Sequence, residues 1–164
     1  MQPQNNYNKM DMNNSQEHEY VDLGLPSGTL WATCNVGASK PEDYGDYFSW
    51  DVGNTAVAKW GKGWRMPSKE QWEELRRFTE STWTTRNGVK GRHFTSRKNG
   101  KSLFLPAAGS STYTPASSDG SYWSSSLYTG SPYDAWYFGF GWGTAGVGIS
   151  GHYWCRSVRA VREN

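Results

Sequence analysis

Long apolar runs are missing from this chain of 164 residues. No stretch of about 18 apolar residues occurs, which excludes a membrane-spanning helix of the usual kind. The N-terminal MQPQNNYNKMDMNNSQEH has no apolar h-region and does not read as a signal peptide. Delivery to a surface would then fall to a virus particle or to a larger parent chain. Cysteine is scarce: Cys34 and Cys155 are the only two, too few for a disulfide framework. They either pair with each other or stay reduced as small hydrophobes. Charge of one sign is lacking as well. A formal net charge of +2 with both signs interspersed gives no basic stripe for nucleic acid.

Signatures of chemistry are thin too. His18, His93 and His152 show no metal-ligand spacing. Trp50-Asp51 alone does not offer the six or more oxygens a hard cation takes. No Ser-His-Asp or paired-carboxylate arrangement stands out. The chain therefore reads as non-enzymatic, with no metal and no cofactor.

What the sequence has instead is rings and glycine. Hydrophobic residues make up 35% of the chain and aromatics 16%, so the core relies on large rings more than on Leu and Ile. Nineteen glycines point to many tight turns and close backbone contacts. The length suits one domain. Residues 1–18, rich in Asn, Gln and Met, read as a flexible polar tail or linker, and residues 19–164 as the folded domain.

Along that domain, EYVDLGL alternates Val21, Leu23 and Leu25, and Pro26-Ser27-Gly28 turns it into LWATCNV, a β-hairpin. Ser39 to Asp43 has the chemistry of a helix start, and Gly45 limits that helix to a turn or two. DYFSW reads as a strand. The clearest helix runs from Ser68 to about Ser81. Ser68 and Gln71 form a capping box, Trp72, Leu75 and Phe78 an apolar stripe, and Glu73 and Arg77 an i,i+4 pair. No other segment keeps a helical period. Strands and turns follow, with Lys98-Asn99-Gly100-Lys101 as a hairpin turn and SYWSSS, AWYFGFGW and RSVRAVR as strand candidates. The expected class is α+β: two helices on a mostly antiparallel sheet with long loops.

The segment from Ser121 to Cys155 carries the functional signal. It holds eleven aromatics, seven glycines and six serines, with Asp134 its only acid and no Lys or Arg. Tyr, Trp, Ser and Gly are the alphabet of antibody combining sites: rigid rings for contact, small residues for adaptation. Alternation along Trp136 to Gly143 sets Trp136, Phe138, Phe140 and Trp142 on a core face, and Tyr137, Gly139, Gly141 and Gly143 on the other. The glycine face answers either to close packing or to ligand contact. TAGVGISGHYWC shows no clear period and reads as a long loop or loose hairpin. Trp154 is either a contact residue or a core anchor beside the last strand.

Taken in order, EYVDLGLPSGTLWATCNVGASKPEDYGDYFSW, GWRMPSKEQWEEL, FLPAAG, GSYWSSS and RSVRAVR resemble the Fibrobacter succinogenes major paralogous domain, a family of gut Bacteroidetes and their phages. The resemblance covers about Glu19 to Arg162. It implies a C-type-lectin-like fold of the formylglycine-generating-enzyme type. Part of that family resembles the variable proteins of diversity-generating retroelements, in which a reverse transcriptase mutates adenine positions of a C-terminal repeat. The varied region would be about 121–160, opened by YWSSS and closed by SVRAV. Codons derived from AAC, last base fixed, cannot give Trp, Lys, Glu, Gln or Met, and Leu127 to Cys155 holds none of the last four.

By this resemblance the scaffold positions are Trp31, Gly37, Pro41, Tyr44, Gly45, Trp64, Arg65, Pro67, Trp72, Pro106, Gly109, Trp123, Ser124, Ser125, Val158 and Arg159. The ligand-facing positions are Tyr128, Tyr133, Asp134, Tyr137, Gly139, Gly141, Thr144, Ser150, His152, Tyr153 and Trp154. Two features depart from the family pattern. Relatives often carry an Asn-rich varied segment, and Asp51-Val52 stands where a Gly-Glu pair is common. The fold's oxidising relatives use a close thiol pair and its calcium lectins Glu-Pro-Asn, Gln-Pro-Asp or Trp-Asn-Asp motifs; none occurs here. The implied function is receptor recognition on a virion tail or bacterial cell surface. The partner would be a protein or glycan receptor, and homo-oligomers are one option. The alternative is a non-diversified cell-envelope or carbohydrate-binding domain of the same family.

Overall fold

The computed structural model describes residues 18–61, 63–110 and 115–164. Most of the expected N-terminal tail therefore lies outside the described residues. Its last residue, His18, stacks on Trp60 with ring centroids 3.5 Å apart.

Among the described residues the class is α+β: two helices and three small antiparallel sheets. The hairpin expected at the start forms as β1 (Tyr20–Asp22) and β2 (Leu30–Ala32), and β9 (Val161–Arg162) joins the other side of β2. The second sheet is β3 (Thr79–Arg86), β4 (Val89–Ser96) and β5 (Ser102–Pro106). Asn87 and Gly88, at φ 49 and 82, make the two-residue turn between β3 and β4 that both positive φ angles require. The third sheet is β6 (Gly120–Leu127), β7 (Asp134–Phe140) and β8 (Ala145–Gly151).

The helices correct several expectations. Residues 39–43 form turns, not a helix, and DYFSW supplies one isolated bridge, Phe48 to Arg156. The first helix, α1, is Trp50–Ala58, where no helical period is visible. Its interior holds Gly53, Thr55 and Val57, poor helix formers, and only Gly53 and Val57 are buried. Packing sustains it. A Cβ at Gly53 would stand 3.2 Å from Val158, so glycine lets the helix approach. The second, α2, is Lys69–Phe78, with the expected capping box between Ser68 and Gln71. It ends three residues early because Thr79 is extended and begins the β-branched run of β3. Phe78 is 40% exposed and leaves the stripe to Trp72 and Leu75.

The third sheet lies between two cores. Tyr122 and Phe138 face Trp31, Trp72, Leu75, Phe94 and Leu105, with the Trp72 and Phe138 rings stacked at 4.8 Å. Trp123 and Ala135, on the opposite face, meet Val57, Trp64, Met66 and Val158. Of the positions that the resemblance assigns to scaffold, Trp31, Trp64, Pro67, Trp72, Pro106, Gly109, Trp123, Ser124, Val158 and Arg159 are buried. Arg159 is fully buried and donates to Asn35 Oδ1 (2.9 Å) and Ala32 O (3.2 Å). Burial pushes its pKa down to about 10 and pushes the Tyr122 hydroxyl up.

Candidate functional site

TAGVGISGHYWC contains a regular strand: β8 pairs with β7 at seven successive positions, Asp134 to Gly151 through Phe140 to Ala145. The aperiodic look came from Gly146 and Gly148, which remove one face of the pattern. Trp142, expected on the core face, is not part of it. It lies beyond β7 and is 78% exposed, so the core face ends at Phe140.

The sheet separates the ligand-facing candidates into three places. Tyr128, Tyr133, Asp134, His152, Tyr153 and Trp154 gather where the β6–β7 loop meets the segment after β8. Tyr128 N donates to Asp134 O (3.0 Å) and His152 N to Tyr133 O (2.9 Å), tying the two segments together. Tyr133 is 69% exposed and Tyr153 85%, and Leu127 and Trp154 are exposed beside them. Gly141 and Thr144 lie at the other end, in the β7–β8 hairpin, where Gly141 N donates to Thr144 O (2.9 Å). With strand rise near 3.3 Å per residue, β7 keeps the two ends roughly 20 Å apart.

Tyr137, Gly139 and Ser150 occupy the middle, and there the side chains are committed to one another. Tyr137 lies across two glycines: a Cβ at Gly139 or Gly148 would stand 3.1 Å from its ring. The Arg156 guanidinium covers the same ring at 4.0 Å. Its Nη1 donates to Ser121 Oγ and its Nη2 to Ser150 Oγ (2.7 Å), so one side chain spans β6, β7 and β8. Desolvation lowers the Arg156 pKa. Ser150 is buried. Close packing thus accounts for the glycine face at Gly139 and Gly148.

The aromatic end rests on a firm base. Phe48 and Arg156 exchange two backbone hydrogen bonds (2.8 and 2.9 Å), and Trp50 N donates to His152 O (3.0 Å). The Trp50 ring stacks on His152 at 4.6 Å, and its Nε1 donates to Ser124 O (2.8 Å). On the other side Tyr128 meets Trp136 edge to face at 5.7 Å, and Lys69 Nζ stands 3.9 Å over the Trp136 ring. Lys69, Trp50 and Arg156 were not singled out from sequence as parts of this region. Nothing local marks them, because their roles depend on contacts from distant parts of the chain.

Among the described residues no group of three or more His, Cys, Asp or Glu is placed to hold a metal ion. Cys34 and Cys155 are both free thiols. Among the described residues no helix is long and apolar enough to cross a membrane. Compared with family models, curated proteins and solved structures, the chain gives no match in any of the three.

Proposed function

We propose that this chain is a receptor-binding protein whose contact surface is the aromatic end of the third sheet, centred on Tyr133 and Tyr153. One observation carries the reading. Two tyrosines, 69% and 85% exposed, stand on loops whose backbones are tied to each other and to the start of α1. An exposed ring on a braced backbone loses little entropy on binding, and Tyr is among the side chains that dominate such contacts. A ring that touches little of its own chain gains contact area only when a partner brings the surrounding surface. This favours a macromolecular receptor, protein or glycan, over a small buried ligand.

The finer reading follows the resemblance: a C-type-lectin-like frame carrying a segment diversified by a retroelement. Burial of ten of the sixteen positions that the resemblance assigns to scaffold supports it, as does exposure at the aromatic end. Tyr128, Tyr133, Asp134, His152 and Tyr153 are all residues that AAC-derived codons give. Trp154 is not, and would be fixed or come from another codon. Display on a virion tail or bacterial cell surface belongs to the same proposal.

Sequencing the locus tests it. The expected result is a near-copy of the DNA for residues 127–155, differing only at adenines, beside a reverse transcriptase gene. A locus with neither would remove the diversification and leave a fixed binding domain.

A further inference from the structure

Strand edges are templates for other chains, and proteins blunt them with short length, charge, proline, bulges or cover. In the first sheet, β1 and β9 are three and two residues long. In the second, β3 carries Glu80 and Arg86, and β5 is largely buried and ends at Pro106. In the third, β6 is irregular between Trp123 and Leu127 and is bridged to Gly109 and Ser157. β8 lacks charge, proline and bulge; α2 packs on the face that Ala145 and Val147 turn to the core, and among the described residues no strand pairs along the edge itself. Its seven residues, AGVGISG, carry no charge and no proline and pair with β7 in unbroken register. Among the described residues no strand pairs with its outer side, and no backbone hydrogen bond reaches residues 145–150 from there. Ile149 is 43% exposed, and a Cβ at Gly146 would meet nothing within 4 Å.

We infer that β8 is the interface with a second copy of this chain, the two β8 strands pairing antiparallel about a two-fold axis at Gly148. The strand is self-complementary in that register. Gly148 meets its own equivalent, Val147 lies opposite the partner's Ile149, and Gly146 opposite the partner's Ser150. Small residues share one face and branched apolar residues the other. No like charges meet, because the strand has none.

The ends of β8 favour a second copy over a foreign peptide. Gly151 of one copy opposes the partner's Ala145. Residues 152–154 then come beside the partner's hairpin tip, residues 141–144. Trp142, 78% exposed in one chain, joins Tyr153 and Trp154 of the other. The two groups of candidates that a single copy keeps apart are united on each side of the axis. A pair of seven-residue strands is a small contact beside the roughly 1,200–2,000 Å² of a stable complex, so the association is weak and concentration-dependent. The inference stands on the edge itself and does not require the receptor-binding reading.

Sedimentation equilibrium of the full chain tests it. The wild type is expected to move from 18.5 kDa toward twice that mass as concentration rises. Gly146→Lys and Ile149→Lys each place a charge where there is room, and each is expected to weaken association about tenfold or more. Their melting temperatures are expected to match the wild type. Should a lysine variant unfold, hydrogen exchange on the wild type supplies the second reading: protection of β8 amides is expected to rise with concentration. A wild type that keeps the monomer mass at the highest soluble concentration overturns the inference. So does a dimer that both folded variants leave unchanged, or β8 protection independent of concentration.

Discussion

Single residues decide how closely the third sheet packs. A Cβ at Gly120 would run into the Phe140 ring, whereas one at Gly146 would meet open space. Gly120→Ala is expected to cost about 1–3 kcal/mol by overpacking. Gly146→Ala is expected to stay within about 0.5 kcal/mol of wild type. Chemical denaturation of the two variants checks both, and equal losses would contradict this account of the glycines. Tyr122 gives a second test. Burial raises its pKa, so the folded state holds a proton that the unfolded state releases above about pH 10. This contribution to stability is complete below that pH and is lost as pH rises further. In a titration followed by phenolate absorbance, Tyr122 is expected to ionise only as the protein unfolds. Complete titration of all ten tyrosines near pH 10 with the fold intact would contradict it.

Elements differ in how much of their cause is local. The cap and stripe of α2 are contiguous, so its start is readable from Ser68, Gln71, Trp72 and Leu75. Gln71 also works at long range: its Oε1 accepts from Ser68 N and Arg65 Nη1, and its Nε2 donates to Thr29 Oγ1, which is buried. Gln71→Ala is expected to cost about 2 kcal/mol, since it removes the side-chain half of the capping box and the bonds to Arg65 and Thr29. Ser68→Ala is expected to cost about 1 kcal/mol. Thermal melts that reverse this order would count against the long-range role. α1 was not readable, because the force that keeps it helical is the contact of Gly53 and Val57 with a core supplied by distant residues. β8 was hidden for a different reason. Period-two alternation needs side chains on both faces, and Gly146 and Gly148 supply none on one of them.

At the scale of the molecule, the composition of residues 121–155 shows where the rings and glycines gather but not how the sheet divides them. Periodicity cannot tell which ends of two paired strands hold the exposed rings. The sheet sets Tyr133 and Tyr153 at one end, the Gly141 to Thr144 hairpin at the other, and a packed Tyr137 and Arg156 between them. A frame with two cores on either side of this sheet should tolerate change at its exposed end. The double variant Tyr133→Ser/Tyr153→Ser is expected to keep its stability within about 0.5 kcal/mol, as surface changes do. A larger loss on denaturation would mean that these rings serve the fold. The most direct test of a binding surface on a fixed frame is the coding sequence of residues 121–160 in independent isolates. Differences are expected to gather at Tyr128, Tyr133, Asp134, His152 and Tyr153, while Tyr122, Trp123, Phe138, Val158 and Arg159 stay constant. An invariant segment, or changes falling as often on those buried residues as on the exposed ones, would contradict it.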